Sequence, residues 1–292
     1  MKIGWIGTGV MGASMAAHVQ SAGHELYIYN RTKEKASTLL DKGAVWCDSP
    51  AGVAAGAEAV FSIVGFPSDV EETFFGPDGV FSVQGGCRTV VDMTTTKPSL
   101  AVRIAGEARK RGMEALDAPV SGGDIGARDA TLVIMVGGDP GAMERMKPVF
   151  ECMGSRIAYM GGPGSGQHTK MCNQILVSGT MVSVCESLLY AARVGLDRQA
   201  VIDVIGKGAA GSWSINNLGP RIVKGDFSSG FFVEHFIKDM GIALQEAEAM
   251  GLSLPGLALV QQLYVSVKAQ GHGRSATQAL YLTLKSMSEK AC

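Results

Sequence analysis

Net charge is the first thing this sequence lacks. Its 292 residues carry 26 Lys+Arg against 27 Asp+Glu, a balance of −1. Such a balance offers no basic footprint for a nucleic-acid backbone or an anionic membrane surface, so neither is an expected partner. Cysteine is sparse and unpatterned: Cys47, Cys87, Cys152, Cys172, Cys185 and Cys292 form no C-x-x-C pair and lie mostly inside apolar segments. They read as small core hydrophobes in a reducing cytoplasm, with no disulfide framework. The five histidines, His18, His24, His168, His235 and His272, show no metal-ligand spacing, so no metal site is expected. Nothing after Met1 has the apolar core and cleavage site of a secretory leader. The longest uncharged apolar stretch, Met171 to Cys185, also carries Asn173, Gln174, Ser178, Thr180 and Ser183. It is shorter than the roughly 20 residues that span a bilayer, and a buried helix suits it better.

What the chain has in excess is glycine, 39 of 292 residues, about 13% against a usual ~7%. The glycines have no period of three and are scattered among apolar runs, which excludes collagen and flexible linker. With 46% hydrophobic residues, the chain can bury a sizeable core, and its glycines mark places where a side chain would interfere.

The first ~160 residues alternate short apolar runs with helical patterns. Strands are expected at Lys2–Ile6, Glu25–Tyr29, Ala59–Val64, Thr89–Asp92, Met113–Leu116, Leu132–Val136 and Arg156–Tyr159. Helices are expected between them at Met11–Ser21, Lys33–Lys42, Pro98–Arg111 and Pro140–Cys152. This is the pattern of an α/β, doubly wound parallel sheet covered on both faces. It changes at Gly161-Gly162-Pro163-Gly164-Ser165-Gly166, beyond which no strand stands out. A long apolar helix from Gln167 to Val194 and further helices at Asp197–Lys207, Phe236–Met250, Leu257–Gln270 and Thr277–Lys290 follow. The expected domains are therefore 1–162, α/β, and 163–292, all-α.

Directly after the first strand comes Gly7-Thr8-Gly9-Val10-Met11-Gly12, a G-x-G-x-x-G opening a helix. In the dinucleotide-binding Rossmann fold, three such glycines permit a tight turn, a close approach of the pyrophosphate and close helix–strand packing. The helix N-terminus then faces the phosphates. A nicotinamide dinucleotide is the expected cofactor. About 20 residues on, NAD-binding sites usually place a carboxylate for the ribose 2′-hydroxyl. This chain has Asn30-Arg31-Thr32 instead, which suits a 2′-phosphate and hence NADP(H), with NAD(H) possible. Alternatively, Arg31 is a solvated surface charge.

Three more clusters carry chemistry. Asp117-Ala118-Pro119-Val120-Ser121-Gly122-Gly123 ends a strand in a turn whose hydroxyl and open N–H groups can hold a carboxylate; the alternative is an ordinary turn. Lys170 lies near the start of the long apolar helix, with Asn173 and Gln174 three and four positions later on the same face. A lysine there is costly unless its charge is used, or unless it snorkels to solvent. Lys238-Asp239 lies within a later helix, where a solvated charge pair is the alternative.

Together, in this order and over essentially the whole chain, these motifs resemble those of the β-hydroxyacid dehydrogenase family. That family includes 3-hydroxyisobutyrate dehydrogenases, tartronate semialdehyde reductases and glyoxylate/succinic semialdehyde reductases. 6-Phosphogluconate dehydrogenase shares the motifs, but 292 residues leave no room for its larger helical domain. The resemblance implies an NAD(P)-dependent oxidoreductase that interconverts a small β-hydroxyacid and its semialdehyde. It implies that Lys170 is the catalytic acid/base and that Asn173 positions the substrate. By the same resemblance Ser121, Gly122 and Gly123 bind the substrate carboxylate, and Gln174 takes the place of a second Asn among the substrate-binding residues. Val64, Gly65, Thr95 and Lys238 are implied as cofactor contacts beside Gly7–Gly12 and Asn30–Thr32. Family members often have Pro in place of Gly65 and Ser in place of Thr94. The rival readings are an imine reductase, commonly without the lysine, and a non-catalytic cofactor-binding scaffold. The long apolar helix suggests a homodimer or homotetramer in the cytoplasm, with the active site in a cleft between the domains.

Overall fold

The computed structural model describes residues 1–228 and 230–288. The end of the helix expected over Thr277–Lys290, and Cys292, lie outside the described residues. The chain divides into two compact units, Met1–Lys170 and Met171–Cys292.

The first unit is built on nine strands: β1 (Lys2–Ile6), β2 (Glu25–Tyr29), β3 (Val45–Trp46), β4 (Ala59–Ser62), β5 (Thr89–Asp92), β6 (Glu114–Asp117), β7 (Val120–Ser121), β8 (Leu132–Gly138) and β9 (Gly154–Gly161). They lie in the order β3-β2-β1-β4-β5-β6-β8-β7, with β9 also paired to β8. Its helices are α1 (Gly12–Ser21), α2 (Ser37–Leu40), α3 (Pro50–Gly56), α4 (Pro67–Phe75), α5 (Pro98–Lys110), α6 (Gly123–Arg128) and α7 (Pro140–Glu151). The alternation of side chains along each strand feeds two separate cores. Trp5, Phe61 and Val91 point into one with Met15, Val19 and Phe150. Ile6, Val60 and Val90 point into the other with Val53, Phe74 and Ile104. Both faces are thus covered.

The sheet departs from the all-parallel expectation at one end. β6 and β7 both pair antiparallel with β8, whereas β1 to β6 pair in parallel. The segment between β7 and β8 holds only the six-residue α6, too little for the crossover of a dozen or more residues that a parallel neighbour needs.

The long α8 (Ser165–Arg193) runs on from this unit. Its N-terminus is held by the first unit: Asp117 accepts the backbone N–H groups of Gly164 and Gln167, both at 2.8 Å. Those bonds explain why the first compact unit reaches Lys170, past the glycine-rich junction at 161–166. By length and composition α8 could cross a membrane, the one such helix among the described residues. Its buried polar residues Gln167, Lys170 and Gln174 have protein partners, as suits a core helix.

The second unit is helical: the remainder of α8, α9 (Arg198–Ile205), α10 (Trp213–Asn217), α11 (Gly219–Val223), α12 (Val233–Ala249), α13 (Pro255–Val267) and α14 (Leu280–Ser288). Its core gathers Met181, Leu188, Phe236, Met240, Tyr264 and Leu280. Of the cysteines, Cys87 and Cys185 are buried as expected, but Cys172 is exposed, on the outer side of α8.

Candidate active site

The carboxyl ends of the parallel strands collect most of the residues singled out in the first unit, as open α/β sheets do. Gly7 follows β1 with φ +99°, and a Cβ there would overlap the Ile63 carbonyl oxygen. A Cβ on Gly12 would overlap the Gly7 carbonyl oxygen. These two glycines serve the turn and the packing of α1. Gly9 differs: a Cβ there would meet nothing within 4 Å. The protein itself does not require glycine at that position, so the open space is where a ligand can approach. α1 has no side-chain cap and no acidic residue in its first turn, leaving N–H groups for an anion. The Thr8 hydroxyl is buried without a hydrogen-bond partner in the protein. Loop, helix end and orphan hydroxyl fit a dinucleotide pyrophosphate at Gly7–Gly12, with Val10 exposed and Met11 half-buried beside it.

Asn30 is committed to the fold. Its Oδ1 accepts the Thr8 N–H at 3.0 Å and its Nδ2 donates to the Thr32 carbonyl at 2.8 Å. That leaves Arg31 and Thr32, both exposed, as the outward groups of the segment. The Arg31 guanidinium pairs with Asp69 at 3.0 Å, and Asp69 also accepts the Phe66 N–H at the start of α4. Val64 and Gly65 follow β4; the Val64 N–H donates to the Thr94 hydroxyl at 2.9 Å. Thr95 stands half-buried between Thr94 and Thr96, both buried.

Beneath these loops lie two buried carboxylates. Asp92 accepts from the Ser62 hydroxyl and the Thr94 N–H. Burial pushes its carboxyl up to about 6, against the opposing pull of those hydrogen bonds. Burial also raises Asp117, while the Gly164 and Gln167 amides draw it back. Asp117 therefore acts as the anchor of α8.

Lys170 sits one turn along that helix, 7% exposed. Its Nζ donates to the Val120 carbonyl at 2.8 Å. It does not snorkel; its ammonium is held beside Ser121. Gly122 and Gly123 follow with φ +132° and +65°, left-handed values that favour glycine, and a Cβ on Gly123 would meet open space. The Ser121 hydroxyl, the half-buried backbone of this turn and the Lys170 side chain together can receive a small carboxylate and a reacting oxygen.

In the second unit, Asn173, Gln174 and Lys238 are joined through Asp239. The Lys238 ammonium pairs with Asp239 Oδ1 at 3.0 Å, and Gln174 Nε2 donates to Asp239 Oδ2 at 2.7 Å. Asn173 Nδ2 donates to Gln174 Oε1 at 2.8 Å. Asp239 is 1% exposed and Gln174 2%. The Lys238-Asp239 pair is therefore buried, and the alternative of a solvated charge pair fails. Gln174 spends its carboxamide on Asp239 and Asn173, which makes it a brace for its neighbours. His235, nearby on α12, is kept below its ordinary pKa by burial and then by the Lys238 charge.

Sequence reasoning missed Gln167, Asp69, Asp92 and the bridging role of Asp239. For Asp92 and Asp239 the available signal was an acid among apolar neighbours; Asp69, in the polar start of α4, and Gln167 offered none.

Comparison with known proteins places the chain in a family. The NAD-binding domain model of 6-phosphogluconate dehydrogenase matches residues 2–161. The NAD-binding model of NADP-dependent 3-hydroxyisobutyrate dehydrogenase matches residues 164–284. A probable 3-hydroxyisobutyrate dehydrogenase-like protein of Arabidopsis thaliana is 50% identical over 97% of this chain and 85% of its own. The 2-hydroxy-3-oxopropionate reductase of Escherichia coli is 39% identical over 98% of this chain and 98% of its own. The structure of Mycobacterium tuberculosis 3-hydroxyisobutyrate dehydrogenase with L-serine superposes with TM-score 0.86 at 29% identity, covering 97% of this chain and 99% of that one. The chain belongs to the β-hydroxyacid dehydrogenase family of NAD(P)-dependent oxidoreductases.

Proposed function

We propose that this protein reduces a small carboxylate-bearing semialdehyde to its β-hydroxyacid, and catalyses the reverse, with NADP(H) preferred and NAD(H) accepted. The observation that carries the reading is the buried Lys170 ammonium, fixed on the Val120 carbonyl beside Ser121-Gly122-Gly123. When bound, the cofactor supplies or accepts the hydride. The chain's residues do the rest. Ser121 and the Gly122-Gly123 backbone hold the substrate carboxylate. Lys170 donates a proton from Nζ to the oxygen that becomes the hydroxyl; in oxidation its neutral form takes that proton back. Asn173, braced by Gln174, positions the substrate. Gly7–Gly12, Val64, Gly65, Thr95 and Lys238 hold the cofactor, with Arg31 and Thr32 receiving the 2′-phosphate and Asn30 shaping their segment.

The compounds for which the two relatives are named, 3-hydroxyisobutyrate and 2-hydroxy-3-oxopropionate, support a short substrate with one carboxylate. The site is read as cytoplasmic, since the five described cysteines are all free thiols. A homodimer or homotetramer fits the apolar outer residues of α8. The direct test is NADPH and NADH oxidation against succinic semialdehyde, glyoxylate, tartronate semialdehyde and methylmalonate semialdehyde, with 3-hydroxyisobutyrate for the reverse reaction. Turnover of at least one with NADPH is expected; a strong NADH preference would overturn the cofactor reading.

A further inference from the structure

Gln167 matches no motif glycine, lysine or carboxamide of the site, yet its side chain is completely buried, at 0% exposure. Both ends of its carboxamide are used. Nε2 donates to the Thr94 carbonyl at 2.7 Å, and Oε1 accepts the Thr96 N–H at 3.0 Å. The carboxamide therefore pairs with the chain as a neighbouring strand would, on both sides of Thr95, and leaves the Thr95 side chain half-exposed. The backbone N–H of Gln167 meanwhile donates to Asp117 at 2.8 Å, and Thr94 holds the Val64 N–H at 2.9 Å. Gln167 thus ties the ends of β5 and β6 to the turn of α8 that carries Lys170, and Thr94 adds the end of β4. Glutamate would keep the acceptor and lose the donor; leucine would lose both.

We infer that Gln167 is a positioning residue for the cofactor: it sets the Thr94–Thr96 loop in register with the Lys170 turn, and dinucleotide affinity depends on it without direct contact. The inference rests on the reading of Thr95 as a cofactor contact. Full-length wild type, Gln167→Leu, Gln167→Glu, Thr95→Ala and the Gln167→Leu/Thr95→Ala double variant are titrated with NADPH by calorimetry, at a temperature where circular dichroism shows each to be folded. Gln167→Leu is expected to raise the Kd roughly ten-fold, the scale of a misplaced binding group. In the double variant the two effects should be less than multiplicative, because they act on one loop. If Gln167→Leu does not fold, Gln167→Glu carries the test, with the same direction expected. A lower Tm with wild-type Kd, or fully multiplicative effects, would overturn the inference and leave the Thr95 reading intact. Wild-type affinity in Thr95→Ala would overturn both.

Discussion

Arg31 and Asp92 show how individual charges can shape this site from opposite environments. The Arg31 side chain is 77% exposed and tethered by Asp69, so its guanidinium is oriented before any ligand arrives, with donors to spare. A phosphate meeting it gains a charge-assisted hydrogen bond, which a ribose hydroxyl cannot match. Arg31→Ala should cut kcat/KM for NADPH about ten-fold or more, with NADH little changed; equal losses with both cofactors would contradict the assignment. Asp92 is the reverse case, a carboxyl raised to about 6 by burial. A raised carboxyl pKa favours the protonated native state. Its contribution is therefore fully present below the unfolded value of 3.8 and is lost as pH rises through about 6. Asp92→Asn removes that dependence. Relative to wild type, the variant should gain thermal stability between pH 4 and pH 7, read as the difference in Tm at the two pH values. A pH-independent difference would show that Asp92 does not titrate in this range.

At the scale of elements, the legible ones were those long enough to show their period. β1, β2 and β5 fall where the sequence places them. β3 and β7, two residues each, are too short to carry any alternation and were missed. The helix expected over Lys33–Lys42 is instead a 3-10 turn, Lys33–Ala36, followed by α2. α12 begins at Val233, three residues before its expected start. α8 was legible from its apolar length, but its exposed side was not. Cys172, Leu176, Gly179, Ser183, Glu186 and Tyr190 are exposed at three- and four-residue spacing, Leu176 by 72% and Tyr190 by 71%. A row so poor in charge suits a second copy of the chain. Sedimentation should find wild type as a dimer or tetramer and Leu176→Glu shifted toward monomer; a monomeric wild type would remove the proposed association.

For the molecule as a whole, the order βαβ then all-α and the G-x-G-x-x-G fingerprint made the fold and the cofactor class readable in advance. Lys170 was readable because a charge inside an apolar run breaks the pattern around it. Gln167 was not, since its partners Thr96 and Thr94 lie 71 and 73 residues away and are backbone groups, identical in every sequence. The antiparallel β8 was hidden for a similar reason: strand direction depends on what the connection between β7 and β8 can span, which local pattern does not encode. What unites these observations is a lysine held inside the protein by a carbonyl, next to the turn that we propose receives the substrate carboxylate. NADPH oxidation by wild type and Lys170→Ala, with the four semialdehydes as substrates and NADPH affinity measured in parallel, tests that arrangement most directly. The expected result is turnover by wild type, a fall in kcat of at least ~10²-fold in Lys170→Ala, and cofactor affinity nearly unchanged. Near wild-type kcat in the variant, or no turnover of any of these substrates by wild type, would contradict it.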